Sequence, residues 1–468
     1  MQKKPDSQFG AYRNPAPRSR MKPVVLLSLL LWFLIWGGYN ITIGHVLSPN
    51  FPANHLDLVQ GMRVFLPLLA GWIALLVLLV KRNLKAQAVA GPLGLLAIFG
   101  AVGAVSSALY SPYPVRAVCW SGEFGAVILV LMVVLSDQEA SPILSRLITL
   151  NWIIDICLLI AVLGAIPFLG GAAVTSTQGS PLGQVAYHGA ITAHGRLLDM
   201  ATSRNTGLGR YAGVAGLVAL ARLLEGRKWP RLAWLGVLLL ALYTLVFAQA
   251  RTETLSFAAG LLLLLLLRKR RRIVMMAMGA LGVALLALVG FFNAAWNFGT
   301  RDRGFDPTLT GRTYIWSQAM SFIRQSPWVG LGFRADRYFV HQDMQNSLLH
   351  ALIEAGVLGT IAYVAAFGVA WYLVARLYVS RRSDSLPSEI PAILMFFTVM
   401  SVTESAAWYT ANWLLLAPVL AYIQVAAWQE KALRAKASYR RREALQVARA
   451  AYAMERRNAS EAPNMGLN

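Results

Sequence analysis

The stretch "HQDMQNSLLHALIEAGVLGTIAYVAAFGVAWYLVARLYV" occupies residues 341–379. It opens on polar residues: His341, Asp343, the Gln345–Asn346 pair, His350 and Glu354. From residue 357 it turns into an almost uncharged apolar run that approaches the roughly 20 residues needed to cross a bilayer core. A transmembrane helix is therefore expected from residue 357 onward. The polar start admits two readings: the collar of one more membrane helix, or the mouth of a catalytic site.

Apolar runs of the same kind recur along the chain. They cover residues 24–47, 64–80, 93–109, 126–135, 147–169, 212–224, 232–248, 255–267, 273–292, 390–402 and 413–428. The chain is 57% hydrophobic and only 14% charged, a balance that a soluble domain of 468 residues does not need. In lipid each spanning segment must satisfy its own backbone, which makes helices the expected form. The fold expected is an all-α polytopic membrane protein with about twelve transmembrane helices. The polar, basic residues 1–22 and the length of the first apolar run do not resemble a cleavable signal. Cys119 and Cys157 are expected to be small buried hydrophobes.

Charge placement orients the chain. The formal net charge is +22. With a cytoplasmic N-terminus, all the lysines fall on the cytoplasmic side, among them Lys81, Lys228, Lys269 and Lys431, together with "RKRRR" at residues 268–272. That is the positive-inside pattern, and it places both termini in the cytoplasm. The opposite face has no lysine, yet carries arginines such as Arg204, Arg210, Arg251, Arg312, Arg334 and Arg337, and all the histidines. Basic residues on a translocated face oppose topology. Loop solubility is one account. Recognition of an anion is the other, because the guanidinium fork binds phosphate bidentately.

Two outer loops are long, about residues 170–209 and 293–356. The second holds helix-like spacing in "YIWSQAMSFIRQ" and a Pro/Gly break in "SPWVGLGF", as a folded cap would. The boundaries expected are a basic cytoplasmic segment at 1–22, a transmembrane domain at 23–428 with the loop 293–356 inside it, and a basic, helical cytoplasmic tail at 429–468 that anionic lipid or solvent could cover. No P-loop, dinucleotide fingerprint, metal-spaced His/Cys cluster or G-x-S-x-G is present. Asp302 and Asp306 lie near arginines and are expected to pair with them. Glu123, Asp155 and Glu404 fall within membrane runs and are expected to face the bundle interior, as structural partners or as proton-coupling groups.

Two motifs carry a resemblance. "LTGRTYIWSQAMSFIRQSPWVGLGF" (residues 309–333) is similar to G-R-x-x-x-W, a short helix, then P-x-x-G-x-G-F. "QNSLLHALIEAGVLG" (residues 345–359) is similar to H-N-x-x-L-x-x-L-x-E-x-G-x-x-G. Together they resemble the O-antigen ligase and O-antigen polymerase superfamily of bacterial envelope enzymes. "SRNTGLGRYAG" and "AQARTETLSFAAG" are similar to that family's Arg-bearing helix ends.

The resemblance implies a glycosyltransferase-C-like helical architecture in the inner membrane with a periplasmic site. It implies transfer of a glycan from undecaprenyl diphosphate to an acceptor hydroxyl, inverting and without a metal or other cofactor. Arg204, Arg210, Arg251 and Arg312 would bind the donor diphosphate. His341, Gln345, Asn346 and Glu354 would form the catalytic set. Membrane lipid and the glycan or lipid acceptor are the partners; nucleic acid is not among them. The match departs at Gln345, which stands where the family carries a histidine. Glutamine is no general base; His341 and His350 are the nearby alternatives, or no histidine serves. Ligase and polymerase remain alternatives, and a lipid or polysaccharide transporter without chemistry is the reading from another class.

Overall fold

The computed structural model describes residues 23–40, 58–81, 86–137, 139–169, 205–225, 231–247, 251–267, 312–341, 344–379, 386–405 and 410–461. Among these the regular elements are all helical. In chain order they are α1 Pro23–Asn40, α2 Leu58–Lys81, α3 Ala86–Val89, α4 Pro92–Tyr110, α5 Pro114–Ser136, α6 Ala140–Leu169, α7 Asn205–Glu225, α8 Arg231–Phe247, α9 Arg251–Leu266, α10 Arg312–Ile323, α11 Ser347–Val379, α12 Glu389–Thr403 and α13 Thr410–Glu461. A π-helical turn, Asp336–Val340, lies between α10 and α11. Each apolar run read from the sequence falls on one of these helices where it is described; 41–47 of the first run and the whole of 273–292 lie outside the described residues. Among the described residues, four helices are long and apolar enough to cross a membrane: Pro92–Tyr110, Pro114–Ser136, Ala140–Ala161 and Ser347–Val379. Shorter apolar helices accompany them, such as Phe65–Lys81 and Glu389–Val402.

Local sequence sets several boundaries. Pro92 and Pro114 open α4 and α5, where a missing N–H costs nothing and the fixed φ suits a helix. The short turn between them folds α5 back on α4. α11 packs along α4, α2 along α5, α7 along α8, and α9 along α12, while α13 touches α5, α6, α11 and α12. Asn151 on α6 ties three helices together: its Oδ1 accepts from the indoles of Trp32 and Trp36 at 3.2 and 2.7 Å, and its Nδ2 donates to the Leu414 carbonyl. Glu123, Asp155 and Glu404 are all buried, as their cost in lipid requires. The cysteines differ from expectation: Cys119 is half-buried and Cys157 is exposed on the outer face of α6. A thiol is small and apolar enough to face lipid as readily as a core.

The segment from α10 through the π turn forms a cap with its own small core, built from Ala319, Ile323, Leu331, Ala335, Val340 and Met344 against Ile353 of α11. The cap docks by entering a break in α11. Gly356 has φ 60 and ψ −164, which interrupts the helical hydrogen bonds. The chain at 327–332 takes their place. Leu331 and Gly332 donate N–H to the carbonyls of Ile353 and Glu354, at 2.7 and 2.9 Å. Val357 and Leu358 donate in turn to the carbonyls of Pro327 and Trp328. Phe333 then inserts into the bundle, against Phe99 at 5.9 Å and Phe124 at 5.6 Å between ring centroids. Its N–H donates to the Ser107 hydroxyl of α4. The P-x-x-G-x-G-F and E-x-G-x-x-G motifs are thus two halves of one joint.

The polar tail is helical, as its composition suggested, and it continues α13 without a break. At 1.5 Å per residue the 52-residue helix is about 78 Å long. Its residues 412–427 are buried apart from the half-buried Tyr422, whereas 431–454 are exposed throughout. Burial rather than backbone marks the change at the tail.

Candidate active site

The polar start of α11 is built by capping. The Asn346 side chain accepts from the N–H groups of Leu348 and Leu349, both at 3.0 Å, and so satisfies two otherwise orphaned donors. Its amide donates to the Val402 carbonyl of α12. The Ser347 hydroxyl donates to the Glu404 carbonyl, just past α12. These contacts fix α11 beside the end of α12, and two residues of that end, Glu404 and Ser405, turn inward.

One turn along α11, His350 is buried, with 1% exposure. Its Nδ1 lies 2.9 Å from the Ser405 hydroxyl and its Nε2 lies 3.0 Å from Glu354 Oε1. His350 and Glu354 meet because residues four apart share a helix face. Asp336 of the π turn adds a second carboxylate 3.6 Å from the same Nε2. Burial would push the Asp336 carboxyl up, but the adjoining His350 imidazole, with Arg337 and Arg334, draws it below the usual carboxylate range. Glu354 Oε1 also accepts the Arg334 N–H at 2.7 Å.

On the other side of Ser405, Glu404 Oε2 takes Arg210 Nη2 of α7 at 3.1 Å. Arg210 Nε reaches Glu253 in the first turn of α9 at 3.3 Å. A continuous polar line therefore runs from Glu253 through Arg210, Glu404, Ser405 and His350 to Glu354 and Asp336. It joins α7, α9, α12, α11 and the cap. Stripping one partner from a buried ion pair costs about 3–5 kcal/mol, since a buried charge is left uncompensated. Arg210→Lys should insert into the membrane and lose most turnover, because an ammonium cannot span both carboxylates as the fork does. Membrane fractionation alongside a product-release assay checks this; a fully active variant would remove Arg210 from the site.

The other residues singled out in the sequence are placed as follows. His341 ends the π turn, exposed, with φ 60. Gln345 is half-buried, with φ 47, just before α11. Neither is a link in the buried line. Glu354 is fully buried. Arg251 and Arg312 are the first residues of α9 and α10, and their side chains lie outside the described ones. Arg204, Asp302 and Asp306 lie outside the described residues altogether.

Arg334, His341 and Gln345 are the non-glycine residues with positive φ among those described, and all three flank the π turn. Such conformations cost of order 1–3 kcal/mol each and persist where surrounding contacts impose them, often at functional sites. Asp336, Ser405 and Glu253 escaped the sequence reading as partners. The i,i+4 spacing of His350 and Glu354 was the available signal for that pair. His350, Asp336 and Glu354 bring one nitrogen and two carboxylate donors within 4.8 Å of one another. By donor type this set could hold a divalent cation, though Arg334 and Arg337 beside it oppose added positive charge.

A family model matches over the same region. Residues 235–364 match the family model described as O-antigen ligase, a span that runs from α8 through the cap into α11. The chain is also similar to the exopolysaccharide production protein ExoQ of Rhizobium meliloti (strain 1021), 28% identical over 190 residues. That match covers 35% of this chain and 42% of the relative, so the chain spans less than half of the relative's length.

Proposed function

We propose that this chain, a member of the O-antigen ligase/polymerase superfamily, is a membrane glycosyltransferase that moves a glycan from undecaprenyl diphosphate onto an acceptor hydroxyl at the periplasmic face. The observation that carries the reading is the buried polar line from Arg210 to Glu354, which locks the cap onto the arginine-bearing ends of the bundle helices. A lipid-linked diphosphate needs a membrane surface for its tail and fixed positive charge for its head. Arg204, Arg251 and Arg312 supply that charge, the last two as the first residues of α9 and α10, where the helix dipole adds to it; Arg210, paired with Glu253 and Glu404, holds the helix ends beside them.

The acceptor oxygen attacks the anomeric carbon opposite the diphosphate. The glycosidic C–O bond breaks, and its electron pair leaves on the diphosphate oxygen. Preorganised guanidinium groups stabilise that growing charge, so no metal is required. The acceptor proton passes to a base at the rim, where His341 is exposed and Gln345 stands beside it. A single displacement inverts the configuration. Asn346 and Glu354 hold the rim in place by capping α11 and anchoring the cap. The whole is read as about twelve spans with cytoplasmic termini in the inner membrane, divided at residues 22 and 428, with 293–356 as the periplasmic loop.

Ligase and polymerase differ only in the acceptor. The relative is an exopolysaccharide production protein, which favours keeping the polymerase beside the ligase. The test uses purified full-length chain with a lipid-linked glycan and records free undecaprenyl diphosphate. Release with lipid A–core as the only acceptor identifies a ligase; release only with a second lipid-linked glycan identifies a polymerase. No release with either leaves the transporter reading. Release should persist in EDTA; loss of release in EDTA with recovery on adding magnesium or manganese would move the phosphate chemistry from arginine to metal.

A further inference from the structure

The arginines Arg210, Arg222, Arg337 and Arg434 each pair with a carboxylate. Arg334 forms no salt bridge among the described residues. It is partly exposed, and its guanidinium carbon lies over the Trp120 ring of α5, 4.0 Å from the ring centroid. Its backbone sits in the left-handed region at φ 63, where a side chain is disfavoured. Two contacts impose that conformation. The N–H is held by Glu354 Oε1 at 2.7 Å, and the carbonyl accepts from Arg337 and Tyr338 at 2.9 and 3.1 Å. A glycine would meet the same backbone demand without strain. The geometry of the turn therefore does not call for an arginine there, and the partly exposed guanidinium is open to a role beyond its charge facing Asp336.

A guanidinium stacked on an aromatic ring uses its face and leaves its in-plane N–H groups available. Those donors match the oxygens of a phosphate. Arg116 lies one turn before Trp120 on α5, where it adds positive charge to the same helix end. We propose that Arg334, stacked on Trp120 and held by Glu354, is a phosphate-binding residue that receives the diphosphate of the lipid-linked donor. The donor part of this assignment rests on the glycosyltransferase reading above. The chemistry itself is that of a phosphate anion, which a phospholipid headgroup could also supply.

The test uses the full-length chain in phosphatidylcholine and in phosphatidylglycerol nanodiscs, titrated with inorganic pyrophosphate by calorimetry. Arg334→Gly should weaken pyrophosphate binding about tenfold or more, the loss expected for charge-assisted hydrogen bonds. Its thermal midpoint should fall only slightly, because glycine's ease at positive φ offsets the lost Trp120 contact. Arg334→Lys, which keeps the charge without the fork, should fall between. Pyrophosphate affinity equal to wild type in both variants overturns the proposal. If phosphatidylglycerol suppresses pyrophosphate binding to the wild type but not to Arg334→Gly, the site takes a lipid headgroup, and the donor assignment falls. If the variants lose pyrophosphate as expected but the wild type releases no diphosphate from any lipid-linked glycan, the anion site stands and the glycosyltransferase reading fails.

Discussion

Gly356→Ala should unfold the cap. At φ 60 and ψ −164 the residue occupies backbone space that is essentially reserved for glycine. A Cβ there would sit 2.3 Å from the Trp328 carbonyl carbon and 2.4 Å from its oxygen. Those atoms belong to the turn that completes the broken helix, and backbone cannot swing aside as a flexible side chain can. Across the joint, a Cβ on Gly330 would meet Ala355 N at 2.5 Å, so neither side has room to yield. Backbone strain and a lost set of cap hydrogen bonds together should cost about 4 kcal/mol or more, at the extreme of single substitutions. The thermal midpoint in detergent should drop, and trypsin should cut the exposed Arg324 region faster. An Ala variant that melts like wild type would show that the joint does not carry the cap.

The second large effect concerns the base. If His341 takes the acceptor proton, His341→Ala should lower the rate by roughly 10²–10⁴-fold, the usual span of general base catalysis. On the proposed function donor binding should change little, since the donor would be held by arginines rather than by His341. Gln345→His should be tolerated and should restore activity to His341→Ala by supplying the family's arrangement. If instead Gln345 orients the acceptor and solvent takes the proton, His341→Ala is mild and Gln345→Ala severe. Both variants in one diphosphate-release assay separate the accounts. His350 is the poorer candidate on structural grounds. Both its ring nitrogens are engaged, by Ser405 and Glu354, and it is shut away from solvent.

Periodicity and apolar length made the helices legible. Runs such as 93–109 and 390–402 mark α4 and α12 to within a few residues, because a helix in lipid closes its own hydrogen bonds and leaves composition as the signal. The same logic gave the short helix α10 and the helical tail. The burial of Glu123, Asp155 and Glu404 followed from the cost of charge in hydrocarbon. Lipid-facing Cys157 was not legible, since a small apolar group fits either side of a helix.

The motifs of the candidate site could be found in the chain, but not what they do to one another. The resemblance marked Glu354 and Gly356, and a Pro/Gly break marked the "SPWVGLGF" turn; the spacing of four that puts His350 and Glu354 on one face was there to be read but was not. Only the tertiary structure decided that residues 327–332 complete the hydrogen bonds of a helix interrupted at Gly356. Only it decided that Arg210 answers two carboxylates, Glu253 and Glu404, one 43 and the other 194 residues away. A repeating apolar pattern records what each segment must bury, and it does so residue by residue. A buried polar partner is chosen by which chain ends the packed bundle brings within 3 Å or so of each other. That distance depends on every helix between them, and no local stretch of sequence contains it.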